Sequence, residues 1–294
     1  MKNVADTAIV VSDVDEPASR AVTPSGRLLR GFRRPEAMTG SIVILFFVLV
    51  VLTGPLFLHY SPEAQSAASL APPGARHFLG TDELGRDLLS RVIYGIRVDL
   101  IVGLIAVPVG GVIGIAIGLF TSTNSVADTV VQRSFDIVLA FTGMVLGLTI
   151  AALIGGGLFT VLLTVAIVNV PLFGRLVRTT VRTEMGKDYV TAARAIALPT
   201  RTILSRHILP NAIDPLLVQA GLSLSNAVFL EGAMSFIGLG VKPPDPSLGS
   251  VLRDSINFMT VSPLYAIAPM VVISLLVVAF NLISDGLNKT LLNA

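Results

Sequence analysis

Cysteine and tryptophan are both absent from this 294-residue chain, and histidine occurs only three times. Without cysteine there can be no disulfide framework, no thiolate metal site and no lipid attached through sulfur. His59, His77 and His207 stand far apart, with no His-x-x-His or carboxylate–histidine grouping, so a metal centre gains no support. A Gly-x-x-x-x-Gly-Lys-Ser/Thr phosphate loop is also missing, so nucleotide binding is not expected on this chain. Charge is scarce too. Only 14% of residues are Asp, Glu, Lys or Arg, against about 25% in soluble domains. With 53% hydrophobic residues and a mean hydropathy of +0.80, the composition indicates lipid as the main solvent. The net charge of +2 is small, and the basic residues flank apolar runs instead of forming a separate basic domain. Nucleic-acid binding is therefore not expected.

Apolar runs long enough to span a bilayer, roughly 20 residues each, predict six transmembrane helices at about 38–58, 98–120, 130–154, 158–178, 214–237 and 264–284. Ahead of them, residues 1–37 read as an N-terminal tail, mobile over 1–26, and Arg27, Arg30, Arg33 and Arg34 precede the first span. A secretory signal is the rival reading of that first run, but Met38–Leu58 is too long and lacks a small-residue cleavage site. The basic cluster places the N-terminus in the cytoplasm, and six crossings return the 288–294 tail, with Lys289, to the same side. The 182–210 loop then also lies inside, and its Arg and Lys excess agrees. Segment 59–97 lies outside; its four Arg are offset by Glu63, Asp82, Glu83 and Asp87. Residues 98–287 form the core of five spans. Arg133 and Asp136 share one face of the third span and can pair. Gly110, Gly114 and Gly118 recur every fourth residue, a smooth stripe for close helix packing within the subunit or, less favoured, for a dimer seam.

The most informative segment is the polar insert from Asp188 to Asn211. Asp188 is placed to cap a helix beginning at Tyr189. That helix runs through Ala192, Ala193, Ala195 and Ala197, whose small side chains allow close approach by a partner. Pro199 closes it, Thr200 can cap a second helix, and Pro210 ends that one. A short helix, a break and a second helix make a knob suited to a groove on another protein.

This insert resembles the EAA loop of bacterial ABC importer permeases. Ala192, Ala193, Leu209 and Pro210 match the pattern at the right spacing, and Arg206 to Asn211 is similar to the form found in the dipeptide/oligopeptide/nickel permease family. Thr191 stands where the pattern has Glu and Ala197 where it has Gly; Pro199 could supply a turn in place of that glycine. Two further stretches carry the same resemblance. One is His77-Phe-Leu-Gly-Thr-Asp-Glu-Leu-Gly-Arg-Asp87, continuing through Ser90-Arg91, Tyr94-Gly95 and Arg97. The other is Ser235-Phe-Ile-Gly-Leu-Gly-Val241 with Pro243-Pro244 and Pro246 to Gly249, followed by Phe280-Asn-Leu282 and Asp285-Gly-Leu287. In the third span Phe141-Thr142 replaces the family's Phe-Pro, which predicts a straighter helix there.

The resemblance implies an all-α membrane protein with the type I ABC importer permease fold, in the bacterial cytoplasmic membrane. It implies a non-enzymatic subunit forming half of a translocation pathway for di- or oligopeptides, with nickel chelates, glutathione or another small solute as alternatives. The implied partners are a homologous second permease, two cytoplasmic ATPase subunits that bind ATP and Mg, and an extracytoplasmic solute-binding protein. Asp188, Tyr189, Ala192, Ala193, Arg194 and Ala197 are expected to dock on the ATPase, with His207 and Pro210 shaping the second helix. Intramembrane polar residues are functional candidates because placing them in lipid is costly. Glu231 is the clearest, expected to anchor an outer gate through a partner such as an Arg of the 77–97 segment. Asn169, Asn226 and Asp99 follow. An intramembrane enzyme would need a catalytic constellation, and no span contains His. An ion-coupled transporter would favour interrupted helices with midplane acids, whereas here the polar residues concentrate in one inward loop.

Overall fold

The computed structural model describes residues 31–58, 60–122 and 125–291. The N-terminal tail to residue 30, with Arg27 and Arg30, together with His59 and residues 292–294, lies outside the described residues, as do the side chains of Arg201, Ser205, His207 and Asn211. Ten α-helices follow one another among the described residues. They are α1 (Pro35–Phe57), α2 (Leu88–Thr121), α3 (Ser125–Ala140), α4 (Gly143–Ile154), α5 (Leu158–Met185), α6 (Asp188–Ala195), α7 (Thr200–Ile203), α8 (Leu209–Phe236), α9 (Leu248–Ser255) and α10 (Pro263–Leu291). The only strand-like pairing among them is an isolated bridge between Thr81 and Asp87. Five helices are long and apolar enough to cross a membrane: α1, α2, α5, α8 and α10. The pair α3–α4, bent by 90°, supplies a sixth crossing when read as one span.

The sequence sets the helix starts. Pro35 opens α1, where its missing N–H is no loss and its φ is already helical. Asp87 opens α2: its carboxylate accepts the Ser90 backbone N–H at 2.9 Å and the Ser90 hydroxyl at 2.8 Å. That cap starts the helix at Leu88, so the last ten residues of the segment expected to be external over 59–97 are helical. The remainder, 60–87, is compact. Buried Asp82 accepts from the Leu84 and Arg86 backbone N–H groups and from Arg86 Nε at 2.6 Å. His77 Nδ1 meets Asp87 at 2.9 Å, and the Tyr265 hydroxyl donates to Glu83 at 2.5 Å, tying the segment to α10.

The third span is the main correction. A straighter helix was expected where Thr142 replaces proline, yet the chain breaks at Phe141–Thr142 and turns through 90°. Thr142 is extended (φ −66°, ψ 148°) and its hydroxyl accepts the Val145 N–H, so it caps a new helix. A cap breaks a helix without any ring.

The glycine stripe serves packing inside the chain. A Cβ on Gly110, Gly114 or Gly118 would lie 2.3, 2.3 or 2.6 Å from the carbonyl oxygens of Ala166, Val170 and Gly174, all on α5. α2 and α5 thus meet backbone to backbone. One apolar core joins α2, α5, α6 and α8 around Val102, Val165, Phe173, Val190 and Ile208; a second joins α1, α2, α8, α9 and α10 around Leu88, Val228, Leu248, Tyr265 and Leu276. The outward face of α1 leaves Ile42, Leu45, Leu49 and Leu52 exposed, as a lipid-facing helix should.

Candidate functional site

α5 has 28 residues, a length of about 42 Å at 1.5 Å per residue. That exceeds a hydrocarbon core of about 30 Å, so α5 carries its far end, and the knob beyond it, past the lipid. Gly186 and Lys187 make the turn into α6, and Glu184 fixes it. One Glu184 oxygen accepts from Lys187 Nζ at 2.6 Å and the other from the Tyr189 hydroxyl at 2.5 Å. The bond to Glu184 holds the Lys187 ammonium above the ordinary lysine range. Val190 and Ala193 are buried beside Ile203 and Ile208, which seats α6 on its own chain. The opposite face presents Asp188, Thr191, Ala192, Arg194 and Ala195, with Ile196 at the tip 72% exposed. The six expected docking positions therefore divide by geometry. Asp188, Ala192, Arg194 and Ala197 are exposed, while Tyr189 and Ala193 pack inward.

Five details of the insert differ from expectation. Asp188 is the first helical residue, not the cap; Lys187 holds that place and makes no side-chain capping bond. α6 ends at Ala195, so Ala197 lies outside it, with a left-handed backbone (φ 57°). The Ala197 N–H bonds the Arg194 carbonyl at 2.9 Å and the Leu198 N–H bonds that of Ala193 at 3.2 Å. These two bonds are the Schellman pattern with Ala197 in the position glycine favours. The turn is thus made at Ala197 and not by Pro199, whose carbonyl instead accepts the Thr202 and Ile203 N–H groups and opens α7. Thr200 is accordingly the first residue of α7 and not its cap. Pro210, exposed, does not end the second helix: α7 passes through a π-helical turn (Leu204–Ile208) straight into α8. The Leu209 N–H reaches back five residues to the Leu204 carbonyl. This wider turn next to the proline accommodates its missing donor. The side chain of His207 lies outside the described residues.

Asn169 and Asn226, far apart in sequence, line one cavity of about 360 Å³ with Thr142, Met144, Ser223 and Leu230, between the α3–α4 break, α5 and α8. Asn169 is buried, donates to the Val165 carbonyl at 2.8 Å, and has a side-chain oxygen with no hydrogen-bond partner among the described residues. None of the lining residues is ionisable.

Glu231 does not line that cavity. It is fully buried on the opposite side of α8, where one oxygen accepts the Ser235 hydroxyl at 2.7 Å and the carboxyl meets that of Asp99 on α2. The expected arginine partner is therefore corrected. Arg86 and Arg91 pair with Asp82, Glu83 and Asp254, and a second acid faces Glu231 instead. Asp99 is itself fully buried and neither of its oxygens receives a conventional donor among the described residues. The two acids thus lie side by side between α2 and α8, with the Ser235 hydroxyl as the donor to Glu231.

Sequence reasoning missed Ile196, Glu184 and Asp128. Ile196 had a signal, a large apolar residue just past the end of a polar helix. Asp128 had none, because its partners lie fifty and fifty-four residues away.

Residues 110–293 match the family model described as "Binding-protein-dependent transport system inner membrane component", and residues 27–73 match that of the "N-terminal TM domain of oligopeptide transport permease C". The chain is 37% identical over 274 residues to a dipeptide transport system permease protein DppC of Alkalihalophilus pseudofirmus, covering 92% of this chain and 90% of that one. It is 38% identical to the di/tripeptide transport system permease protein DppC of Pseudomonas aeruginosa, covering 87% of each. It is 33% identical to the glutathione transport system permease protein GsiD of Pectobacterium atrosepticum, covering 92% and 91%. Among solved structures, the inward-facing MetNI methionine ABC transporter matches with a TM-score of 0.51 at 18% identity, covering 67% of this chain and 95% of that chain. That likeness concerns the fold.

Proposed function

The chain belongs to the family of binding-protein-dependent transport system inner membrane components, and from that membership we propose that it forms half of an ATP-driven pathway importing di- or oligopeptides. It is a multi-pass α-helical membrane protein of the ABC importer permease fold. The observation that carries the cargo is near-full-length similarity, at 37% and 38% identity, to permeases named for dipeptides and di/tripeptides. In this reading a homologous permease completes the pathway, two cytoplasmic ATPases bind ATP and Mg, and an extracytoplasmic solute-binding protein delivers cargo. The termini and the 182–210 loop lie in the cytoplasm. The α6 knob docks on an ATPase, with Ile196 and Arg194 at its tip, an apolar anchor beside a cation. Closure of the ATPases displaces the knob, and the helices exchange inward-open and outward-open arrangements. Asn169, Asn226, Ser223 and Thr142 line the pathway, and Glu231, bonded to Ser235 and beside Asp99, stands at the outer end of α8.

The test is uptake of a radiolabelled dipeptide by proteoliposomes holding the assembled complex and its binding protein. ATP-dependent uptake, lost on omission of ATP, is expected; uptake driven by an ion gradient alone overturns the proposal. Ile196→Asp should abolish co-isolation of the ATPases while leaving the permease folded, since the residue supports no core. A glutathione importer is the second reading, favoured by the 33% match to a glutathione permease. Competition by excess glutathione and not by dipeptides would select it.

A further inference from the structure

Asp128 sits on α3 with only 7% of its surface exposed, and its partners are both on α5. Its Oδ1 accepts from Arg178 Nε at 2.6 Å, and its Oδ2 accepts from Arg178 Nη2 at 2.7 Å and Arg182 Nη2 at 3.0 Å. A buried ion pair is weak evidence for a stability role, because removing two charges from water offsets most of their attraction. A two-pronged guanidinium–carboxylate contact does, however, fix orientation and register. Two neighbouring contacts repeat the fastening. Phe135 lies over Gly174, where a Cβ would come within 2.6 Å of the ring, and Asp136 accepts a hydrogen bond from Arg175. α3 and α5 are thus joined as one body along their shared length.

The two ends of that body touch the two halves of the proposed mechanism. Arg182 stands two residues before Glu184, which holds Lys187 and Tyr189 at the root of the knob. At its other end α3 stops at the Phe141–Thr142 break, and Thr142 and Met144 form a wall of the cavity. From Asp128 to Ala140 the helix spans about 18 Å, long enough to act as a lever between the two. We propose that Asp128 is a positioning residue of the transport cycle: it clasps α3 to α5 so that displacement of the knob swings α3 about the Phe141–Thr142 joint and reshapes the cavity wall. This inference rests on the importer reading above.

The experiment uses the complete importer in proteoliposomes, with ATP hydrolysis and radiolabelled dipeptide uptake measured on the same sample. Asp128→Asn should leave the complex assembled and hydrolysing ATP, while dipeptide taken up per ATP falls about tenfold, within the range by which single substitutions alter coupling between sites. Asp128→Arg and Arg178→Asp should each uncouple in the same way, and the Asp128→Arg/Arg178→Asp exchange should restore the ratio. Where Asp128→Asn does not assemble, Arg178→Lys keeps the charge, loses the fork and should lower the ratio roughly threefold. An unchanged ratio in the assembled single variants, or an exchange variant that assembles and stays uncoupled, overturns the clasp. Absence of ATP-driven uptake in the unmodified complex would instead overturn the importer reading, so the two failures are distinct.

Discussion

Replacing Ala197 by glycine should make the knob more rigid. Ala197 is exposed, with a left-handed backbone at φ 57°, and it closes α6 through two hydrogen bonds. An L-residue held in that region pays about 1–2 kcal/mol through the clash of its Cβ. Glycine escapes that clash but loses more conformational freedom on ordering, about 0.5–1 kcal/mol. Taken at the middle of each range, the difference favours glycine by about 0.75 kcal/mol. No packing term intervenes, because the alanine methyl group faces outward. The reporter is the Leu198 amide, bonded to the Ala193 carbonyl at 3.2 Å across the turn. If it exchanges with solvent by local opening of this cap, its hydrogen exchange in the purified permease should slow about two- to fivefold in Ala197→Gly, at about tenfold per 1.4 kcal/mol. Ala197→Val adds β-branching to the same strained backbone and should exchange faster than the natural chain. Equal or faster exchange in the glycine variant would refute the reasoning, since the left-handed cap would then not limit the opening.

Three other outcomes follow from the packing. Gly114→Ala would place a Cβ 2.3 Å from the Val170 carbonyl, which cannot move alone, and should cost about 1–3 kcal/mol in detergent unfolding; Gly103→Ala meets only the flexible end of Leu224 at 3.2 Å and should unfold like the natural chain. Tyr265→Phe removes the 2.5 Å bond to Glu83 that ties segment 60–87 to α10, a loss of about 1.5–3 kcal/mol for a bond to a charged group, read as a lowered melting temperature partly recovered in Tyr265→Phe/Glu83→Gln. Glu231→Gln keeps an acceptor for the Ser235 hydroxyl and should fold and assemble normally, whereas Glu231→Ala leaves that buried hydroxyl without its acceptor, at a cost of about 1–3 kcal/mol, measured by thermal unfolding.

Most of the fold was legible because lipid imposes a simple code. Five crossings were readable as long apolar runs, and the helix-fit of Gly110, Gly114 and Gly118 was readable from their four-residue spacing. The helix ends were less so. Leu88 begins α2 because Asp87 caps it, a local bond that hydropathy averaging over a long window passes over. The 90° break has a related cause: loss of the proline predicts a straighter helix, and the Thr142 cap interrupts it all the same. At the knob, composition revealed an exposed helix insert, while the division between outward Ala192 and Arg194 and inward Tyr189 and Ala193 depends on how α6 sits against Ile203 and Ile208. The Asp99–Glu231 contact and the Asp128 clasp were out of reach, since each joins residues more than forty positions apart on different helices.

The placement of polar groups across the structure bears on cargo selection. Charged pairs gather in segment 60–87 and between the start of α3 and the end of α5, while the cavity is lined by Asn169, Asn226, Ser223 and Thr142 with no ionisable residue. A side-chain amide both donates and accepts, as a peptide bond does. Asn226, the exposed amide of this lining, can therefore pair with the backbone common to every peptide without favouring a charged side chain. On the proposed import reading, a wall of this kind would pass peptides of varied sequence and leave discrimination to the protein that presents them. If so, Asn226→Asp, which adds a negative charge at an exposed lining position, should slow uptake of an acidic dipeptide more than that of a neutral one in the same proteoliposomes. Equal slowing of both would mean that Asn226 does not face the cargo.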